Sequence, residues 1–454
     1  MAADGDRQAS EVIIVGAGLA GLTAARKLHG EGVDVVVLEA QDRVGGRTYS
    51  KALSDGYVID LGGQWVGPTQ DRVIALADEL NIERFTQFDT GRKSMSIGGE
   101  ISTYKHTIPS LPIWSLVDLQ WVIMKVDRLA KKVPLDRPFS AKKAREWDAM
   151  TVETWKQNNV RTAKARTAFD FAVRAIFAAE PNEVSFLHFL FYVRSGGGFM
   201  RLASIPEGAQ QERFVGGAQQ LSDVMADELG DRVRLEHPVR AIEQDDDGVT
   251  VRTDAATFRA ARVIVAIPPT LCGRIDYTPE LPARRDQLTQ RMPMGSVIKC
   301  IAAYKRPFWR DAGYSGEMLA DTGAIQLGFD DCSHDGSHAA LVGFMLGENA
   351  REWTARPEDA RRQAVLAEFA RFFGSEALSP VEYAEKDWLA EPWSRGCYVG
   401  FMPPGVHTTI GDALRAPVGR IHWAGTETAT QWNGYMDGAI ESGERAAGEV
   451  AAGL

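Results

Sequence analysis

Three glycines, Gly16, Gly18 and Gly21, stand in the G-x-G-x-x-G spacing directly after the β-branched run EVIIV. That order predicts strand, tight turn and helix. The first glycine allows the turn, the second lets backbone approach a pyrophosphate, and the third seats the helix close on the strand. The helix N-terminus then presents free N–H groups to the phosphates. A second apolar run, DVVVLEA, ends in Glu39, about 20 residues past the glycines, where a carboxylate grips a ribose 2′-OH and disfavours a 2′-phosphate. The chemistry on offer is dinucleotide binding. In the following QDRVGGRTYS, the Gly45–Gly46 pair with Arg43 and Arg47 offers a second clamp on the same pyrophosphate. A weakly held, exchanging cosubstrate would gain little from it.

Other reactive side chains are sparser. Lys299 interrupts the apolar run SVIKCIAAY, and a buried ammonium is rare without a partner. Strand alternation leaves an outward-facing lysine open there. Cys332, His334 and His338 have ligand-like spacing, but Asp335, Gly336 and Ser337 mark a polar surface turn, so no metal site is expected. Cys272, Cys300, Cys332 and Cys397 make no disulfide framework in a chain this long.

The elements that must position these groups recur along the chain. RIHWAG reads as a buried strand, GTETA as a turn, and the segment from Tyr435 as an amphipathic helix, so a helix N-terminus lies beside the ligand and favours developing negative charge there. FVGGAQQLSDVMADEL, the charged hairpin AIEQDDDGVTVRTD and the strand RVIVAIPP lie mid-chain, which makes the nucleotide unit discontinuous. The expected fold is α/β, α+β overall: a Rossmann-type domain of residues 1–85, 214–288 and 394–454, with an inserted substrate-binding domain, a sheet flanked by helices, of residues 86–213 and 289–393. LPIWSLVDLQWVIMKVDRLAKK, from Leu111, is apolar around most of a helical surface but interrupted by Asp118, Lys125 and Asp127. It reads as a buried helix, less often as one lying on a partner or bilayer, and not as a membrane span.

With 454 residues, 44% of them hydrophobic, the chain can bury more than one core. Acidic residues exceed basic ones by 61 to 51, and no basic block stands out, so nucleic acid is excluded as a partner. MAADGDRQASE carries no basic or hydrophobic leader, which points to a soluble cytoplasmic protein.

Gly16 to Gly21, Glu39 and DRVGGRT together resemble the flavin amine oxidase superfamily. IDLGGQWVGPTQ, which holds Gly63 and Gln64, QERFVGGAQQ, MPMGSVIKCIAAYKRPFWR, WSRGCYVGFMPPG and GRIHWAGTETATQWNGYMDGAIESGERAA extend the resemblance along nearly the whole chain and narrow it to the monoamine oxidase branch. The resemblance implies FAD and oxidative deamination of an amine by hydride transfer to flavin N5, with oxygen reduced to hydrogen peroxide. It implies that Gly425, Thr426, Glu427 and Met436 line the flavin and that Val239 packs on adenine. Tyr398 and Tyr435 match the family's aromatic cage, and Lys299 matches the lysine that holds a water against N5. Cys397, in SRGCY, matches the cysteine of SGGCY that is bonded to the flavin 8α carbon, although Arg395 replaces a glycine. Gln210 matches a glutamine beside the substrate, while Ala203 and Leu327 replace larger residues that divide the cavity in the mammalian enzymes. GAIQLGF lacks the carboxylate of putrescine-type oxidases, so a primary monoamine is the expected substrate. The same fold serves L-amino-acid and polyamine oxidases, and a non-catalytic flavin-binding redox sensor is the reading from another class. Homodimerisation stays open.

Overall fold

The computed structural model describes residues 7–105 and 111–454; the opening MAADGD, read above for a leader, lies outside them. In chain order the first site-building elements are β1 (Val12–Val15), α1 (Leu19–Gly30), β2 (Val35–Leu38), β3 (Arg92–Ile97), β4 (Glu100–Tyr104), α2 (Ile113–Ala130), α3 (Ala163–Phe177) and α4 (Phe186–Ser195). There follow β5 (Val233–Arg234), β6 (Arg262–Val265), β7 (Val297–Tyr304), β8 (Tyr314–Ala320), β9 (Leu327–Asp330), β10 (Ala339–Leu346), β11 (Glu382–Asp387), β12 (Ile421–Trp423) and α5 (Met436–Ala451).

Every residue of β1 and β2 is buried, as in strands covered on both faces. They belong to a parallel sheet of order β5-β2-β1-β6-β12, so three distant stretches of chain build one nucleotide-binding layer. The small residues of α1 and α5 pack these helices together against it, with Gly443 against the Ala20 carbonyl. The hairpin read at AIEQDDDGVTVRTD forms, its arms Val239–Gln244 and Val249–Thr253 pairing antiparallel.

The second large sheet runs β11-β7-β10-β9-β8-β3-β4. All eight residues of β7 and of β10 are buried, because one face packs on its own core and the other closes a cavity beneath α2, α3 and α4. Register places Lys299, Phe344, Leu327 and Leu319 in one row across β7, β10, β9 and β8. Residues paired this way share a face, so four residues from four segments reach the same cavity.

The helix expected from Leu111 forms as α2, but it is not buried. Leu119, Val122, Ile123 and Val126 face inward, whereas Ile113, Trp114, Val117, Trp121 and Met124 are exposed. Apolar residues on both faces are legible in the sequence; whether a second layer covers the outer one is not, and the described chain supplies none. Among the described residues no helix is long and apolar enough to cross a membrane.

Candidate active site

Gly16, at the end of β1, has φ +100°, and a Cβ on Gly21 would sit 1.9 Å from the Gly16 carbonyl oxygen. The first glycine makes the turn and the third lets α1 begin against it. Gly18 meets Gly45 in a β-bridge, which joins the two glycine loops into one cradle. Just past β2, Glu39 accepts the Ala17 N–H at 2.7 Å and the Gln41 N–H at 2.9 Å. Burial pushes its carboxyl pKa up while these bonds oppose the rise. A long cavity starts here, walled by Gly16, Gly18, Glu39, the Gly45–Gly46 pair and Val239, and runs to Cys397, Gly425 and Thr426.

The two arginines of DRVGGRT do different work. Arg43 does not line the cavity: its guanidinium donates to the carbonyls of Val44, Gly46 and Thr48 and lies over the Tyr49 ring. It fastens the loop, since its donors are taken up by three carbonyls of the loop itself. Arg47 does line it, yet its charge is already matched by Glu427, at 2.5 and 3.0 Å. Glu427 itself, expected beside the flavin, stands behind Arg47, fully buried and off the cavity wall. Burial, the largest influence, raises its pKa, but the Arg47 charge together with the hydrogen bonds to the carboxylate outweighs it and holds the carboxyl below its usual range. The Gly400 N–H adds a third bond.

The far end of this cavity meets a second one at Gly63, Cys397, Tyr398, Gly434, Tyr435 and Met436, which line both. Here α5 begins, with Tyr435 as its N-cap residue. Thr426 Oγ1 donates to the Tyr435 carbonyl at 2.8 Å, tying the GTETA turn to the helix start. Tyr435 is held by Trp432, edge to face at 5.0 Å, and Tyr398 by Phe344 at 6.3 Å. The Cys397 thiol is buried, which pushes its pKa up to about 12. Arg395, with φ +57°, is exposed and off the cavity wall, so the left-handed residue carries the cation outward and leaves Cys397 sterically free.

The second cavity, of about 260 Å³, is smaller than the usual drug-sized pocket and suits a compact molecule. Lys299 stands on its floor, 2% exposed, which removes the outward-facing alternative. Its ammonium donates to the Gly62 carbonyl at 2.9 Å and to Gln64 Oε1, and Gln64 in turn donates to Asp331 at 2.8 Å. Burial lowers the Lys299 pKa to about 8 against the pull of Asp331 and Asp60. Gln64 therefore lies on this side, not along the first cavity. Ala203, Gln210 and Leu327 line the same single space. Gln210 Nε2 donates to the Leu202 carbonyl at 3.1 Å, while its buried Oε1 has no partner. The His334–Ser337 turn is exposed, and Cys332 is buried below it.

Several wall residues escaped the sequence reading. Phe344 pairs with Lys299 and its ring lies 5.7 Å from the ammonium, a relation that only strand register creates. Lys93 and Glu317 form an ion pair at 2.7 Å on the cavity wall, with the Tyr104 hydroxyl donating to Glu317 at 2.9 Å. Unlike SVIKCIAAY, the strand RKSMSI is mostly polar, so nothing in the sequence marks Lys93 as buried.

A family model described as flavin containing amine oxidoreductase matches residues 19–451. The chain is 47% identical over 443 residues to a probable flavin-containing monoamine oxidase A of Dictyostelium discoideum, covering 97% of both chains. It is 42% identical to the flavin-containing amine oxidase B of Homo sapiens, covering 97% of this chain and 86% of that one. Among solved structures, wild-type putrescine oxidase bound to putrescine superposes with a TM-score of 0.94 at 34% identity, over 98% of this chain and all of the other. Cyclohexylamine oxidase from Brevibacterium oxydans superposes with a TM-score of 0.93 at 36% identity, over 98% and 99%.

Proposed function

The chain belongs to the flavin-containing amine oxidoreductase family and is an FAD-dependent amine oxidase, and from that premise we propose that it deaminates a primary monoamine with an apolar body, with hydrogen peroxide as the product of oxygen reduction. The first cavity fits FAD: Gly16, Gly18 and the Gly45–Gly46 pair wall it beside Glu39 without side chains of their own, and the close backbone packing at Gly16 and Gly21 seats α1 against the turn. Gly16, Gly18, Glu39 and Val239 would hold the AMP half, and Arg47, Gly425, Thr426 and Met436 the remainder, with Cys397 as the site of a covalent tether. FAD supplies the two-electron acceptor for the amine.

This chain's own residues bind and orient. The apolar walls formed by Phe171, Ile176, Leu319 and Phe344 disfavour a charged ligand, so the amine is held neutral with its nitrogen lone pair available. Tyr398 and Tyr435 flank the seam between the cavities and present ring faces that exclude bulky approaches. The unpartnered Gln210 Oε1 accepts an amine N–H. An ammonium has three donors; Lys299 spends two on Gly62 and Gln64 and keeps one for a water or oxygen at the seam.

The observation that carries the monoamine reading is Glu317. Among the described residues it is the single carboxylate on the substrate cavity wall, and it is already engaged, by Lys93 at 2.7 Å, which also holds Asp89 at 2.8 Å, and by the Tyr104 hydroxyl, so it is not a free acceptor for a second ammonium. The likeness to putrescine oxidase makes a diamine the second reading. All four cysteines are unpaired, which supports work in a reducing compartment such as the cytoplasm. Peroxide release across benzylamine, hexylamine, putrescine and an L-amino acid, followed with anaerobic bleaching of the flavin, tests the proposal. Putrescine turned over far faster than hexylamine would overturn the substrate class, and flavin that no amine bleaches would overturn the activity.

A further inference from the structure

Half of the large hydrophobic residues exposed on the described chain sit on one helix: Ile113 (66%), Trp114 (76%), Val117 (54%), Trp121 (49%) and Met124 (53%), all on α2. At about 100° per residue they share an arc roughly 100° wide. Arg128, in the last turn, and then Lys131 and Lys132 continue the same arc and are also exposed. The acids of α2 are turned elsewhere. Asp118 accepts the N–H groups of Arg161 and Thr162 at 2.8 and 2.7 Å, and Asp127 accepts the Phe199 N–H at 2.9 Å. On a chain of net charge −10, this face is apolar, then cationic, and holds no exposed carboxylate.

We propose that the outer face of α2 docks on an anionic lipid surface, its two tryptophans and three aliphatic or thioether side chains entering the head-group boundary and Arg128, Lys131 and Lys132 meeting lipid phosphates. A helix with tryptophan and aliphatic residues on one face, bordered by basic residues, lies in the plane of such an interface. A second copy fits less well. A two-fold contact lays the same face on itself, so parallel helices would oppose like charges, and antiparallel helices would seat each cationic end on the partner's Ile113–Trp114 end. The docking is peripheral and independent of which amine is oxidised.

The flavin-loaded protein is floated with vesicles of phosphatidylcholine alone and with vesicles that also contain phosphatidylglycerol. Three basic side chains at an anionic surface predict at least about tenfold stronger partitioning to the mixed vesicles, with a blue shift of tryptophan emission. Trp114→Glu with Trp121→Glu abolishes binding, and Lys131→Glu with Lys132→Glu removes the preference for anionic lipid. Neither pair touches the cavities, so benzylamine oxidation stays unchanged. A double tryptophan variant that binds as the parent does, or a parent that ignores both vesicles, overturns the proposal. So does light scattering that shows a dimer dissolved by the tryptophan substitutions without any vesicle binding, which would assign the face to a second copy.

Discussion

Replacing Lys299 with Met separates what the buried ammonium costs the fold from what it contributes to the reaction. A fall in pKa from 10.5 to about 8 means that keeping the charge in this site costs about 3 kcal/mol at neutral pH. Methionine removes that cost but leaves Gly62 O and Gln64 Oε1 without their donor, at about 1–3 kcal/mol each. The two effects nearly offset, so Lys299→Met moves Tm by no more than about a few degrees at neutral pH. The pH dependence is sharper. Because the folded pKa lies below the unfolded one, the unfolded chain binds more protons between pH about 8 and 10.5, and wild-type stability rises with pH across that window. The variant lacks this rise. A protonated lysine at the seam is worth about 10²-fold in the step that consumes oxygen, so the oxygen reaction of wild type slows above pH about 8, while the variant is slow throughout and flat. Stopped-flow reoxidation and thermal melts at neutral and alkaline pH read both effects. A variant that retains the inflection near pH 8, or that reacts with oxygen at the wild-type rate, refutes the assignment of Lys299.

Three further outcomes follow from the same geometry. Arg47→Met leaves Glu427 buried and uncompensated, a loss of about 3–5 kcal/mol; melts should fall accordingly and flavin content, read by absorbance, should drop with them. Cys397→Ala leaves the fold intact because the thiol packs as a small apolar group, but acid precipitation should now release all yellow colour to the supernatant, whereas wild type keeps it in the pellet; yellow supernatant from wild type would remove the tether. Tyr435→Ala should lower kcat/KM for benzylamine about 2- to 12-fold, the equivalent of about 0.5–1.5 kcal/mol of ring contact, with unchanged flavin content as the control.

The nucleotide cradle was legible because it is local. Gly21 reports a backbone approach within one strand-turn-helix, where a Cβ would lie 1.9 Å from the Gly16 carbonyl, and the φ of +100° at Gly16 belongs to the same turn. Glu39 was legible for the same reason, being fixed by the strand that precedes it. Cys397, Tyr398, Tyr435 and Met436, singled out through the family motifs, all line both cavities, although the groups that hold them, such as Gly295 at the Cys397 N–H and Phe344 at the Tyr398 ring, lie far along the chain.

What the sequence left open depended on partners far along the chain. Charge at DRVGGRT does not say where a guanidinium turns: Arg43 found carbonyls of its own loop, and Arg47 found Glu427, 380 residues away. The spacing of SVIKCIAAY allowed a buried or an exposed Lys299, and only the pairing of β7 with β10 and β11 buried it and set Phe344 beside it. Lys93 and Glu317 became an ion pair by the meeting of β3 with β8. The apolar surface of α2 was visible in the sequence, but its outer half stayed bare because a helix on the outside of a layer has neighbours on one side only. Local steric rules, which act through a few bonds, were written in the order of residues; register, burial and charge pairing were decided where distant segments met.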